Sequence, residues 1–124
     1  MLPFFAVLYI AVAFAKSTET NCPFSDKVKS VNSCPQTAAE WKEAAARKNC
    51  KTTSHNCSSL DYHCVINAWM SETIEVCAPK VIIAGMVCAE FNFGGNRIQR
   101  NENAACQNCP EAYYSNVAFK KRIR

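Results

Sequence analysis

The sequence is short of most features that announce an activity. No apolar run is long enough to cross a bilayer as a helix. The longest, Leu2 to Phe14 within MLPFFAVLYIAVAFAKS, falls short of the roughly 18–20 residues a span requires. The other, VIIAGMVCA at 81–89, is shorter still, so no transmembrane span is expected after the N-terminal segment. No G-x-S-x-G turn is present to expose a nucleophilic serine, and no glycine-rich loop to cradle a phosphate. No internal repeat or low-complexity stretch is visible. Histidine occurs only twice, at the two ends of HNCSSLDYHC (55–64). Excess positive charge is confined to one place. Lys120, Lys121, Arg122 and Arg124 in the tail FKKRIR carry the whole net charge of +4, which leaves ten basic side chains against ten acidic ones. A balanced body with a basic tip is a poor phosphate-tracking surface, so nucleic acid is not an expected partner.

Cysteine, in contrast, is abundant. The first fifteen residues are apolar and end in Ala13-Phe14-Ala15, a small-x-small pattern that signal peptidase accepts. Residues 1–15 read as a signal peptide, and 16–21 as a polar leader. Residues 22–118 form a cysteine-rich extracellular module, and 119–124 a basic tail. All nine cysteines lie beyond the signal segment: Cys22, Cys34, Cys50, Cys57, Cys64, Cys77, Cys88, Cys106 and Cys109. In an oxidising compartment closely spaced cysteines become cross-links, at about 2–4 kcal/mol each. Eight of the nine can make four disulfides. The odd one is left as a thiol or paired with another chain, and spacing alone does not fix the connectivity.

Two local clusters invite a chemical reading. In HNCSSLDYHC, His55, Cys57, His63 and Cys64 are all zinc-ligand types. Zinc, however, wants four ligands from well-spaced pairs. Adjacent residues on a strand face opposite ways, so His63 and Cys64 are ill placed to share an ion. Secretion also favours a disulfide over a thiolate. No metal, cofactor or catalytic residue is expected. Cys106-Gln107-Asn108-Cys109 is a CxxC without the βαβ context of a redox motif, and the expectation is a structural pair with each half bound elsewhere. Asn56-Cys57-Ser58 is an N-x-S sequon, which makes Asn56 the candidate glycosylation site.

The secondary-structure signals predict a small disulfide-rich α+β fold. Thr37 followed by Glu40 is a capping-box signature. Ala38, Ala39 and Ala44 to Ala46 are strong helix formers, and Glu43 and Arg47 are spaced i,i+4. These give one N-terminal helix over about 38–48, with Trp41, Ala45 and Lys48 on one face. From Tyr62 the period changes to two. Tyr62, Cys64, Ile66 and Ala68 alternate with His63, Val65, Asn67 and Trp69. Strands over about 62–68 and 73–78 follow, joined by a turn at Met70-Ser71-Glu72, with Pro79 ending the second. Two more short strands flank Ala84-Gly85, and Gly94-Gly95 allows a turn before Ile98. The helix is expected to pack on a small antiparallel sheet over about 62–98.

The stretches AEWKEAAARKNC (39–50), YHCVINAWMSETIEVCAP (62–79), CAEFNFGGNRIQRN (88–101) and CPEAYYSNVAFK (109–120) together resemble a known family. It is a cysteine-rich extracellular module abundant in molluscs. There it forms the N-terminal ectodomain part of receptors labelled multiple-EGF-like-domains, draper-like or scavenger-receptor-class-F-like. The resemblance spans Cys34 to Phe119. It implies a recognition module for an extracellular protein or glycan, without catalysis. It carries no phagocytic signalling, because this chain has no EGF-like repeat. In the family a tyrosine and a tenth cysteine follow the AFK-like segment, where this chain reads KRIR. The resemblance therefore implies a truncated chain and a stranded thiol, with a disulfide-linked dimer as its consequence. The alternative reading of the whole is a secreted cationic effector, antimicrobial or toxin-like, acting through the basic tail.

Overall fold

A computed structural model describes residues 25–52 and 59–120. The segments read as signal peptide and leader (1–21), Cys22, His55, Asn56, Cys57 and residues 121–124 lie outside the described residues. The elements in chain order are β1 (Asp26–Val31), α1 (Ala38–Lys48), β2 (Asp61–Asn67), β3 (Thr73–Ala78), β4 (Ile82–Ala84), β5 (Val87–Asn92), β6 (Arg97–Ala105), β7 (Ala112–Tyr114) and a 3-10 segment, Ser115–Lys120. No helix among the described residues is long and apolar enough to cross a membrane.

The helix forms where its local signals place it. Thr37 sits in extended backbone, and its hydroxyl accepts the Glu40 N–H at 3.1 Å. Glu40 closes the box one residue earlier than expected, accepting the Gln36 N–H at 2.8 Å. At the other end Asn49 turns left-handed (φ 54°) and donates its N–H to the Ala45 carbonyl, while Arg47 and Lys48 lie in the last turn. There the helix dipole favours cations.

Five strands form one sheet in the order β1-β3-β2-β5-β6, and β4 and β7 form a separate antiparallel ribbon. The expectation of a purely antiparallel sheet over 62–98 is corrected in three respects. The sheet is mixed, because β2 and β5 run parallel through Ile66↔Glu90 and Asn67↔Phe91. It includes β1, so a strand precedes the helix. It also extends through β6 to Ala105. The parallel pair arises because β4 leaves the sheet. β3 returns beside β2, the chain crosses through the ribbon, and β5 enters on the free side of β2 in the same direction, the crossover that parallel strands require. The sheet also curls. At about 4.8 Å per strand, the outer edges of a flat five-stranded sheet would lie about 19 Å apart. Here Ser25, just before β1, donates its hydroxyl to the Asn96 carbonyl beside β6 at 2.9 Å.

The β2–β3 pair is buried on both faces. Tyr62 opposite Cys77 and Cys64 opposite Glu75 share one face. That face meets the helix through a cluster of Cys34, Ala44, Cys50, Leu60, Tyr62, Cys64 and Cys77, with Trp41 and Ala45 packed beside it. Trp41 meets Tyr62 edge-on at 4.9 Å between ring centroids. The other face carries Val65, Ile74, Val76 and Ala78 into the larger core with Ile83, Phe91, Ile98 and Tyr113. The β4–β7 ribbon closes that core. The molecule is thus layered as helix, sheet and ribbon.

Three disulfides lie among the described residues: Cys34–Cys64, Cys50–Cys77 and Cys106–Cys109. The first two staple both ends of the helix to the central strands, Cys34 ahead of α1 to β2 and Cys50 behind it to β3. Their sequence separations of 30 and 27 residues correspond to about 3.6 kcal/mol each in the chain-entropy account. The CxxC cysteines pair with each other, which corrects the expectation that each would be bound elsewhere. Both are buried, at 2% and 7% exposure, on the turn between β6 and β7.

Turn chemistry explains the remaining corners. Asn67 is buried, and its Oδ1 accepts the N–H of Ser71 at 2.8 Å and of Glu72 at 3.2 Å, organising the β2–β3 hairpin. Gly85 sits at φ 92° between β4 and β5. A Cβ there would come within 2.9 Å of the Arg100 guanidinium, which lies across the turn and donates from Nε to the Ala84 carbonyl.

Candidate binding cleft

The HNCSSLDYHC cluster is taken apart by the strand that carries it. Cys64 faces the helix and bonds Cys34, while His63 points to the opposite face, fully buried. Its Nδ1 lies 3.0 Å from the Asp61 carbonyl, and its Nε2 2.8 Å from the Ser115 hydroxyl. A carbonyl can only accept, so Nδ1 carries the proton and Nε2 accepts from Ser115. Ser115 in turn accepts the Val81 N–H at 3.0 Å and donates its own N–H to the Val81 carbonyl. Burial pulls the His63 pKa down to about 4, against weaker opposing effects of the Asp61 carbonyl bond and carboxylate. The neutral ring therefore pins the start of the 3-10 segment to β2. Ser115 is fully buried as well, so its hydroxyl meets the imidazole and the backbone rather than solvent. No group of three or more His, Cys, Asp or Glu side chains that could hold a metal occurs among the described residues.

Cys88, in β5, is also buried. Its sulfur lies 3.7 Å from the Ala105 carbonyl, and burial pushes its thiol up. Beside it Tyr113 donates its hydroxyl to the Val87 carbonyl at 2.7 Å.

A cleft of about 320 Å3 lies between α1 and the β1–β3 edge, lined by Lys27, Lys29, Ala44, Arg47, Lys48 and Glu75. The sequence distributes these cations across two distant segments, and the fold gathers them. A bulge in β1 breaks the register between Asp26 and Lys29 and puts Lys27 at a φ of 57°. From there Lys27 Nζ reaches the Lys48 and Asn49 carbonyls at the helix C-terminus, at 3.1 and 3.0 Å. Lys48, whose side chain is only 10% exposed, lies 3.9 Å from Glu75. Glu75 also accepts the Tyr62 hydroxyl at 2.6 Å.

The electrostatics follow from that crowding. Burial, followed by the bond to the Glu75 carboxylate and its charge, pushes the Tyr62 phenol well up. Lys48 is pushed down, first by burial and further by Lys29 and Lys27, with Glu75 opposing. One carboxylate faces four cations. Lys29 and Arg47 are exposed and make no ion pair among the described residues. A second hollow of about 290 Å3 shares Ala44, Arg47 and Glu75 with the first and adds Ser33, Gln36, Glu40 and Glu43. The groove is therefore basic at one end and acidic at the other.

Of the residues singled out in the sequence, Cys34, Cys50, Cys64, Cys77, Cys106 and Cys109 are paired as above. Cys22, Cys57 and Asn56 fall outside the described residues. Lys27, Lys29 and Glu75 carried no motif. Arg47 entered the sequence reading only through its i,i+4 spacing from Glu43, and Lys48 only through the helix face it shares with Trp41 and Ala45. Comparison with protein-family models, curated proteins and solved structures finds no match to this chain.

Proposed function

We infer that the protein is a secreted, disulfide-stapled recognition module that binds an extracellular protein or glycan through its folded body, and that it performs no catalysis. The reading keeps the resemblance to the receptor-ectodomain module of molluscs. The observation that carries it is the double staple. Cys34–Cys64 and Cys50–Cys77 tie both ends of α1 to β2 and β3, so the helix and the sheet edge present one fixed surface. Preorganisation of this kind removes the ordering cost of binding. Disulfides belong to oxidising compartments, in keeping with the signal-like segment at 1–15 and the N-x-S sequon at Asn56.

The competing reading is the cationic effector acting through the tail. The experiment that separates them is deletion of residues 120–124. The shortened chain should keep its circular dichroism spectrum and its saturable binding to an array of extracellular glycans and matrix proteins. It should lose only salt-sensitive adhesion to phosphatidylserine vesicles. Loss of all binding on deletion, with bacterial killing by the intact chain, would replace the module with the effector.

A further inference from the structure

We propose that the groove beside α1 is a binding site for an acidic oligosaccharide, with one anionic sugar in its basic end and a neutral sugar against its acidic end. The proposal rests on the recognition-module reading and names its ligand class. Three features of the groove argue for it.

The basic end is built for one compact anionic group. Lys29 and Arg47 flank the opening, and the largely buried Lys48 side chain lies beneath them. Cations held this close repel one another, and an incoming carboxylate or sulfate relieves that repulsion with charge-assisted hydrogen bonds. The Lys27 ammonium is already committed to the helix C-terminal carbonyls, which keeps its charge fixed at the edge of the site.

The groove also offers acceptors. Glu75 stands at the boundary between the two ends, and Glu40 and Glu43 line the far one. A ligand charged along its whole length would meet these carboxylates with repulsion. A sugar with hydroxyl groups would donate to them. The combination of cations and acceptors in one groove therefore selects a ligand whose charge is confined to one unit. Polyanions such as heparin fit the groove poorly for the same reason.

The lining is polar. The hydrocarbon surface facing the ligand in the basic end comes from Ala44 and the stems of Lys and Arg, and no aromatic ring lines either hollow. Trp41 and Tyr62 are turned against each other elsewhere. A nucleobase finds no stacking partner, and an apolar peptide anchor or acyl chain finds no pocket. Sugars need neither.

Backbone amide NMR on the secreted chain tests this, with sialyllactose, sulfated lactose and plain lactose as probes. Either acidic sugar should shift the amides of Lys29, Arg47, Lys48 and Glu75, whereas lactose should leave them in place. A response to sialyllactose alone assigns the site to carboxylates, to sulfated lactose alone to sulfates, and to both to the shared charge. The double variant Lys29→Ala, Arg47→Ala should weaken binding by about tenfold or more. Both side chains are exposed, so its fold should stand. Arg97→Ala, at the start of β6, should leave affinity unchanged, as should removal of 120–124. Equal response to lactose, binding that survives the double variant, or silence with all three probes would overturn the site. If the sugars fail while the tail-less chain still binds another array target saturably, the site falls and the recognition reading stands. If every interaction disappears with the tail, both fall.

Discussion

Acidification should destabilise this protein through one residue, His63. In the folded state its ring is fully buried between the Asp61 carbonyl and the Ser115 hydroxyl, and its pKa is lowered to about 4. In the unfolded chain a histidine titrates near ~6.5. Because the unfolded state takes up the proton first, the stability contributed by neutral His63 is complete above pH ~6.5 and is lost as pH falls from there towards ~4. At about 1.36 kcal/mol per unit, the full loss is about 3.4 kcal/mol, of which about 2.4 kcal/mol falls between pH 7 and pH 4.5. That is a large share of the margin of a small domain. Urea unfolding at the two pH values, on the native chain and on His63→Gln, isolates it. The native chain should lose about 2.4 kcal/mol more than the variant over that interval. Proton NMR of the native chain is the companion measurement, independent of whether the variant folds. The His63 Cε1–H resonance should titrate with a midpoint near 4. A midpoint between ~6 and ~7, or identical pH dependence in the two proteins, would refute the reasoning.

Other perturbations have equally defined outcomes. Thr37→Ala removes the helix N-cap and should cost about 1 kcal/mol in urea unfolding, without altering binding of a ligand to the body. Asn67→Ala removes the one oxygen that accepts two N–H groups in the β2–β3 turn and should cost about 2 kcal/mol, with amide exchange of Ser71 and Glu72 rising first. Replacing Cys34 and Cys64 together by alanine should lower stability by about 3–4 kcal/mol, and a drop below about 1 kcal/mol would show that the staple constrains little. Brief alkylation of the native protein should spare Cys88, which is buried and whose thiol is pushed up by that burial, while alkylation after unfolding and reduction should label it.

What the sequence announced was local. The helix was legible because a cap, a run of alanines and the i,i+4 spacing of Glu43 and Arg47 all lie within a dozen residues, and each is a signal local to the helix. The β2–β3 hairpin was legible because its alternation reports the two faces directly. What was not legible depends on contacts between distant segments. β1 reads DKVKSV, an edge strand half-buried at its two ends and exposed over Val28, Lys29 and Ser30, and it shows no apolar run. The parallel pairing of β2 with β5 depends on β4 leaving for the ribbon, a choice no local signal encodes. His63 and Ser115 are 52 positions apart, and only the fold makes them partners. The groove is the clearest case. Equal numbers of acids and bases outside the tail pointed to an unremarkable body, but charge balance says nothing of placement. β1 brings Lys27 and Lys29 against the end of α1, and the balanced total conceals a basic end and an acidic end.

The claim on which the whole account rests is that the helix and sheet are locked into one surface by disulfides at both ends of α1. Peptide mapping of the native protein under non-reducing conditions tests it directly. It should recover Cys34 linked to Cys64 and Cys50 linked to Cys77, in separate cross-linked peptides. Recovery of Cys34 linked to Cys50 would close the helix segment on itself, leave it untied from β2 and β3, and contradict the account.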